Sequence, residues 1–586
     1  MTADAPSPAD APSPADAPSP ADAPSPAGTP SPAGTPTASA APSRADVSGA
    51  ASAPAARPPR PERGQELELE IDSLAFGGEG VARLGSGGYV VFVAGAIPGD
   101  RVRAVVGKRK RSYANARVVE VLEPSPERIP ALAKHPGAPW QVLPYERQLE
   151  IKRTQVDDAL RRIGKLDGFE LEPIVPALEQ WRYRNKLEYS FGQHPDSGEL
   201  VCGFHAPGSW DRIEHIDDCL LASERGNLAR NVVLRWCREQ GLSSWARRDM
   251  DAPGAEANAD AGADVDVDVD VDVSAALDGG LGGDDDGAAE AARGGGRARG
   301  GRARGGRGGA SRQPCDRPVR APDGRALLRN LVVREGRRSG QLQVRLVSTD
   351  AELDAGSLAD ALGAALGEEH LSGFLWTRSN QLGETTAGGD TELVRGVAEL
   401  PERLGELDLR ISPQAFFQTN TEMAELLYGV VTEYAALEGW ERVYDLYCGT
   451  GTIALTLAPR AGELWGIELI EEAVANAIAA ARRNEITRAR FFAGDARLAL
   501  PELLQRAGRP DVLVVDPPRS GLSQKVVRRI IDTSPKRIVY VSCNPTTLAP
   551  NAAQLVEAGW RLIKARPVDM FPQTPHIECV AVLERS

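Results

Sequence analysis

From Glu66 onward apolar and polar residues alternate in short runs. LELEID is the first, followed by VARL, YVVFVAG, RVRAVV and ANARVVEVL, with GGEG, GSGG and IPGD between them. A period of two marks half-buried strands, and glycine-rich breaks at this spacing read as tight turns. These strands predict a small β-barrel of OB type over residues 64–124. Lys108, Arg109, Lys110, Arg111 and Tyr113 fall between its last two strands. A basic loop with an aromatic suits a nucleic-acid backbone, and a solvated hairpin tip is an equal alternative. The period then changes. In PYERQLEIKRTQVDDALRRI (144–163), Leu149, Val156, Leu160 and Ile163 fall on one helical stripe. WRYRNKLEYSFG and ELVCGFHAPGSW read as paired strands. On them Arg182, Arg184 and Lys186 either meet nucleic acid or form a wet face. ALLRNLVVREG and QLQVRLVST predict a hairpin, and SLADALGAAL a helix. Residues 125–411 are thus expected to form a central α/β domain. Residues 412–586 alternate strand and helix, the pattern of a Rossmann-like α/β domain.

Two stretches have no such period. Residues 1–63 repeat ADAPSP and drift to AGTPSP, and so much Pro, Ala and Ser builds no core. Residues 251–314 pass from VDVDVDVDVDV to RGGGRARGGRARGGRGG. This reads as a disordered insertion within the central domain, although its second half resembles RNA-binding Arg-Gly tracts. The net charge of −14 argues against an RNA partner only until it is located. Thirteen acidic residues and no Lys or Arg lie between Asp251 and Glu290, so the remainder is close to neutral. Local patches decide partners here, not the total.

Met1–Asp10 has neither the basic nor the apolar part of a signal peptide, and no run approaches the length of a membrane span. A cytoplasmic protein without membrane contact, and a monomer, is the expectation. Cys202, Cys219, Cys237, Cys315, Cys448, Cys543 and Cys579 form no CxxC pair, so no metal site is signalled.

The chemistry is concentrated at predicted strand ends. VYDLYCGTGTIAL runs from a strand through Asp445 and a Gly-Thr-Gly turn into a helix. Such a turn lets a nucleotide approach the backbone. The next strands end at Glu468 (GIE) and Asp495 (GDA). Acids ending three successive strands, without a full G-x-G-x-x-G, fit S-adenosylmethionine better than a dinucleotide. DPPRSGL then brings Asp516, with Arg519 where amino-group methyltransferases often carry an aromatic residue. The acceptor therefore need not be an amine. VSCNP puts Cys543 at the end of a fifth strand. A lone cysteine is most often a small core residue. Here it has a chemical use: a thiolate adding to C6 of uracil makes C5 nucleophilic towards a sulfonium methyl. A base must then remove the C5 proton. Glu578 in TPHIE is the first candidate and His576 its rival.

The run FFQTN, DLYCGTG, GIE, GDA, DPPRSGL, SCNP and TPHIE resembles the RNA (uracil-5)-methyltransferases, which act on transfer RNA or 23S ribosomal RNA. The likeness spans residues 64–250 and 315–586, and the amino-terminal barrel resembles a TRAM domain. It implies that Gln418, Tyr447, Thr452, Glu468, Asp495 and Asp516 surround S-adenosylmethionine. It also implies Cys543 as nucleophile and Glu578 as proton acceptor. TRAM-bearing relatives favour 23S ribosomal RNA as the partner. Many of them hold a four-iron, four-sulfur cluster on a C-x5-C-G-G-C run. The matching segment here, RIPALAKHPGAPWQ, has no cysteine, and Cys219 alone is expected to hold no cluster. A transfer-RNA uridine-5-methyltransferase, a cytidine-5-methyltransferase and a non-catalytic RNA-binding protein are the open alternatives.

Overall fold

The computed structural model describes residues 60–585 apart from 86–87, 208, 210, 246–319, 322 and 382–384. The expected tail lies almost wholly, and the 251–314 insertion entirely, outside the described residues. The first described unit is a six-stranded sheet over residues 66–123. Its order places strand 66–70 beside 101–109, then 113–123, 89–94, 80–84 and the short 73–74. The alternation seen in the sequence turns Leu69, Val91, Val93, Val102, Ala104 and Val106 into one core. The basic hairpin 107–112 is exposed.

A seven-stranded sheet forms the central region, running from strand 213–215 at one edge to 390–396 at the other. Helices Glu224–Glu239 and Ala355–Leu366 pack on it through Val233, Cys237, Leu358 and Leu362. Ser244 bridges to Leu328, and Trp245 donates its N–H to the Leu328 carbonyl at 2.8 Å.

The carboxyl-terminal sheet positions the chemistry. Its seven long strands are numbered in chain order: β1 (Arg442–Leu446), β2 (Glu463–Glu468), β3 (Ala489–Ala493), β4 (Val512–Val515), β5 (Arg537–Ser542), β6 (Trp560–Val568) and β7 (Glu578–Arg585). The spatial order is 3-2-1-4-5-7-6, with β7 antiparallel between β5 and β6. Strands β1 to β5 are parallel to one another. They read as apolar runs because helices cover both faces.

Packing divides the chain differently from the sequence pattern in two places. Leu400, Leu404, Leu407 and Leu409 of the hairpin 400–411 enter the catalytic core, so that core begins before residue 412. Val156, Leu160, Leu166 and Phe169 also pack on the catalytic sheet, and strand Glu170–Leu171 extends it beyond β6. The helical stripe needs correction too. The α-helix ends at Asp158 and a π-turn covers Ala159–Ile163, which swings Ile163 to the surface. Gln148 and Lys152, not Leu149, are fully buried on this helix.

Candidate active site

Open parallel sheets bind ligands beyond the carboxyl ends of their strands, where strand order reverses. Here the reversal lies between β1 and β4, and the candidate residues gather at that edge. Directly after β1 the chain turns sharply, with Tyr447 at φ 63°, Gly449 at 54° and Gly451 at 81°. A side chain on Gly451 would come within 2.9 Å of the Ala477 Cβ and 3.0 Å of the Phe491 ring, so this position needs glycine for space as well as for backbone. Tyr447 holds the left-handed conformation without that freedom, a local strain common at functional turns.

Glu468, ending β2, locks this turn. Its carboxylate accepts from the Gly449 N–H at 3.1 Å, Leu469 at 2.8 Å and Ile470 at 3.0 Å. Asp495, after β3, caps helix Ala496–Ala507 by accepting from the Arg497 N–H at 2.9 Å. Hydrogen bonds from Arg497, including its guanidinium, hold the Asp495 carboxyl down to about 2. Thr452 opens the helix after the turn, but its hydroxyl meets the buried phenol of Tyr428 at 3.0 Å. Gln418 is buried in the strap before helix Thr421–Ala435, and its carbonyl accepts from Asn185. Phe416 and Phe417 of the same strap line a small pocket with Thr450 and Asn476.

The other half of the crevice carries the reactive groups. β5 and β7 pair as far as Ser542 opposite Cys579, so Cys543 and Glu578 follow on adjacent strands at the same edge. Asn544 fastens this end: it caps helix Pro545–Glu557 and donates to the Arg519 carbonyl at 3.1 Å. Thr547 reaches the same carbonyl at 3.2 Å. The S-C-N-P and D-P-P-R segments are thereby tied together. Desolvation, then the charges of Glu578 and Asp516, push the Cys543 thiol up to about 12, opposed by Arg519. Desolvation raises Asp516 to about 7. Glu578 is raised by desolvation and by Asp516, again opposed by Arg519. His576 lies edge-on to Phe571 at 5.9 Å, and desolvation with nearby Arg519, Arg184 and Lys152 lowers it to about 4. It is neutral at pH 7 and a weak base.

Further residues at this edge were either given no role by the sequence or missed by it. Asp445 is fully buried at the end of β1, and neither carboxyl oxygen has a hydrogen-bond partner among the described residues. Desolvation and Asp516 hold it strongly towards the protonated form. The sequence named it as the first of three strand-ending acids without giving it a role. Leu469 and Ile470 follow Glu468 directly and Leu498 lies three residues after Asp495; they are 68%, 61% and 76% exposed. They give this side of the crevice an apolar rim. Arg184 stacks on Phe571 at 5.6 Å, whereas its neighbours are paired, Arg182 with Asp218 and Lys186 with Glu188.

The segment matching the cluster-binding run lies against Cys219. His135 Nε2 stands 3.3 Å from the Cys219 Sγ. Among the described residues no group of three or more His, Cys, Asp or Glu could hold a metal ion, so this donor set does not fit an iron–sulfur cluster. Nor, among these residues, is any helix long and apolar enough to cross a membrane.

Comparison with known proteins gives this geometry a family. A family model described as tRNA (Uracil-5-)-methyltransferase matches residues 390–586, and a TRAM domain matches residues 60–119. An uncharacterised RNA methyltransferase of Chlorobaculum tepidum is 34% identical over 85% of this chain and 92% of its own length. One of Clostridium tetani is 32% identical over 89% and 98%. The crystal structure of Pyrococcus abyssi tRNA (uracil-54, C5)-methyltransferase in complex with S-adenosyl-L-homocysteine shares the fold. It has a TM-score of 0.61 and 24% identity, covering 88% of this chain and 99% of that one. The family model and these relatives define an S-adenosylmethionine-dependent RNA methyltransferase. The chain belongs to the TRAM-bearing RNA (uracil-5)-methyltransferase family.

Proposed function

We propose that this protein methylates C5 of a uridine in 23S ribosomal RNA, with Cys543 as nucleophile and Glu578 as base. The observation that carries the reading is the pairing of β5 with β7, which puts the two residues on neighbouring strands at one edge, beside Asp516 and Arg519. S-adenosylmethionine supplies the methyl group as a sulfonium electrophile. Glu468, Asp495, Tyr447, Gln418, Asp516 and the Gly449–Gly451 turn would hold it, with Thr452 supporting the turn through Tyr428.

The thiolate of Cys543 bonds to C6 of uracil, and the C5–C6 electron pair moves onto C5 and the neighbouring carbonyl. The C5 pair forms the new bond to the methyl group as the methyl–sulfur bond breaks, its pair staying on sulfur as S-adenosylhomocysteine leaves. Glu578 removes the C5 proton, the C5–C6 double bond re-forms, and the C6–S pair returns to Cys543. A carboxylate raised by burial is a stronger base than one in water, which suits Glu578 to this step. Arg519 is the cation that favours the thiolate. The target uridine must leave its stack to reach this edge. The exposed hairpin 107–112 and Arg184 are suited to phosphate. This reading needs no iron–sulfur cluster; among the described residues His135 and Cys219 offer too few donors for one. The chain acts as a monomer in the cytoplasm.

Transfer RNA is the second reading, favoured by the Pyrococcus abyssi tRNA (uracil-54, C5)-methyltransferase, whose chain is matched almost throughout. Incubation with S-adenosylmethionine and either unmodified 23S ribosomal RNA or unmodified transfer RNA, followed by nucleoside mass spectrometry, tests both. 5-Methyluridine in one pool, lost with Cys543→Ala, is the expected result and names the substrate. 5-Methylcytidine would overturn the base assignment, and no methylation of either pool would overturn the proposal.

A further inference from the structure

We propose that Lys152 and Tyr145 are positioning residues for the base, acting through a buried brace on the loop 569–577; this rests on Glu578 being the proton acceptor. That loop joins β6 to β7. Val568 pairs with Glu578 across its ends, so its path fixes how the first residue of β7 is presented. The amino-terminal half of the molecule grips it at two points.

At the first point Lys152 Nζ meets Asp569 Oδ1 at 2.6 Å, with both side chains fully removed from solvent. The same ammonium donates to the Phe571 carbonyl at 3.1 Å. Tyr145 donates to the second Asp569 oxygen at 2.8 Å and accepts from the Ala177 N–H at 2.7 Å. At the second point Gln148 and Gln573 bond reciprocally. Gln148 Nε2 donates to Gln573 Oε1 at 2.8 Å, and the Gln573 N–H donates to Gln148 Oε1 at 2.9 Å. Gln573 sits at φ 66°, a conformation a non-glycine residue keeps only when its surroundings enforce it. Between these points Tyr183 donates to the Pro572 carbonyl at 3.0 Å.

Stability alone is a poor reason for this arrangement. A buried ion pair contributes little net stability over a well-packed apolar pair of similar volume. What it adds is direction: each bond fixes a named atom of the loop. The barrel closes the brace from outside. A side chain on Gly78 (φ 89°) would collide with Pro575 at 2.7 Å and the Trp140 indole nitrogen at 3.0 Å. Gln155 holds the carbonyls of Leu74 and Ala75 just before that turn, at 3.3 and 3.0 Å.

The test uses full-length protein and the RNA pool that the wild type methylates, made with uridine or with 5-fluorouridine. Fluorine at C5 cannot be removed by a base, so the fluorinated RNA traps the adduct whatever Glu578 does. With ordinary RNA the adduct persists only when proton removal is slow. Tyr145→Phe is the mild variant, Lys152→Met the severe one, and Glu578→Gln the reference. The expected result for Tyr145→Phe is a kcat lower by about tenfold with an unchanged KM for RNA. Its denaturant-resistant adduct accumulates on ordinary RNA, and trapping by fluorinated RNA proceeds at the wild-type rate. Lys152→Met should show the same signature more strongly. Equal losses on both RNAs, or wild-type turnover in Tyr145→Phe, would overturn the inference. No accumulation even in Glu578→Gln would overturn the base assignment itself, and the brace with it.

Discussion

Glu468 and Asp495, on the β2 and β3 side of the crevice, have their carboxylate oxygens committed to backbone amides or to Arg497. Asp516 and Glu578, on the β4 and β7 side, accept no hydrogen bond within the described chain, and burial drives both towards the protonated form. The first pair is finished before any ligand arrives and fixes the shape of a turn. The second is left incomplete, at a cost to folding, so that a substrate can complete it. One sheet edge thus holds a preformed cradle beside a reactive corner, and the two should fail differently when altered.

The sharpest break is Cys543→Ala, expected to lower methylation by about ten-thousandfold and abolish the RNA adduct, as gel shift under denaturing conditions would show. Glu578→Gln should cost about a hundred- to a thousandfold in turnover while the adduct builds up, because attack survives and release does not. Asp516→Asn separates activity from stability. A carboxyl that ionises near 3.8 when unfolded and near 7 when folded penalises the native state increasingly as pH rises between these values. The variant should therefore lose activity yet melt higher than wild type at pH 8, by on the order of 1 kcal/mol, with no gain at pH 3. An unchanged melting temperature at pH 8 would count against the strained-corner reading. On the cradle side, Asp495→Ala should raise the KM for S-adenosylmethionine about tenfold and leave kcat nearly alone. Smallest of all, Arg109→Ala with Lys110→Ala should weaken RNA binding a few-fold and flatten its salt dependence by about one to two phosphate contacts.

How much of this was legible in sequence follows the same division. The strand-end residues could be read because covalent chemistry needs rare types in fixed places: Cys543 before Asn544-Pro545, Asp516 before two prolines. The barrel could be read because its strands alternate. Gln148 and Lys152 could not. Polar residues on an amphipathic helix ordinarily face water, and their partners Gln573 and Asp569 lie 425 and 417 residues away. Ile163 misled for a local reason, the widening of the last helical turn. Thr452 could be placed at the turn, but its bond to Tyr428 depends on a helix that passes behind it.

The Ser244–Leu328 bridge has a practical side. Arg325 also donates to the carbonyl of Gly241 at 3.0 Å, so the chain leaves the central sheet and rejoins it at neighbouring points. Whatever lies between them is tethered at a single doorway. The polypeptide could be opened there into two fragments that reassemble, or a reporter domain could be spliced in, with the strands on either side left in place.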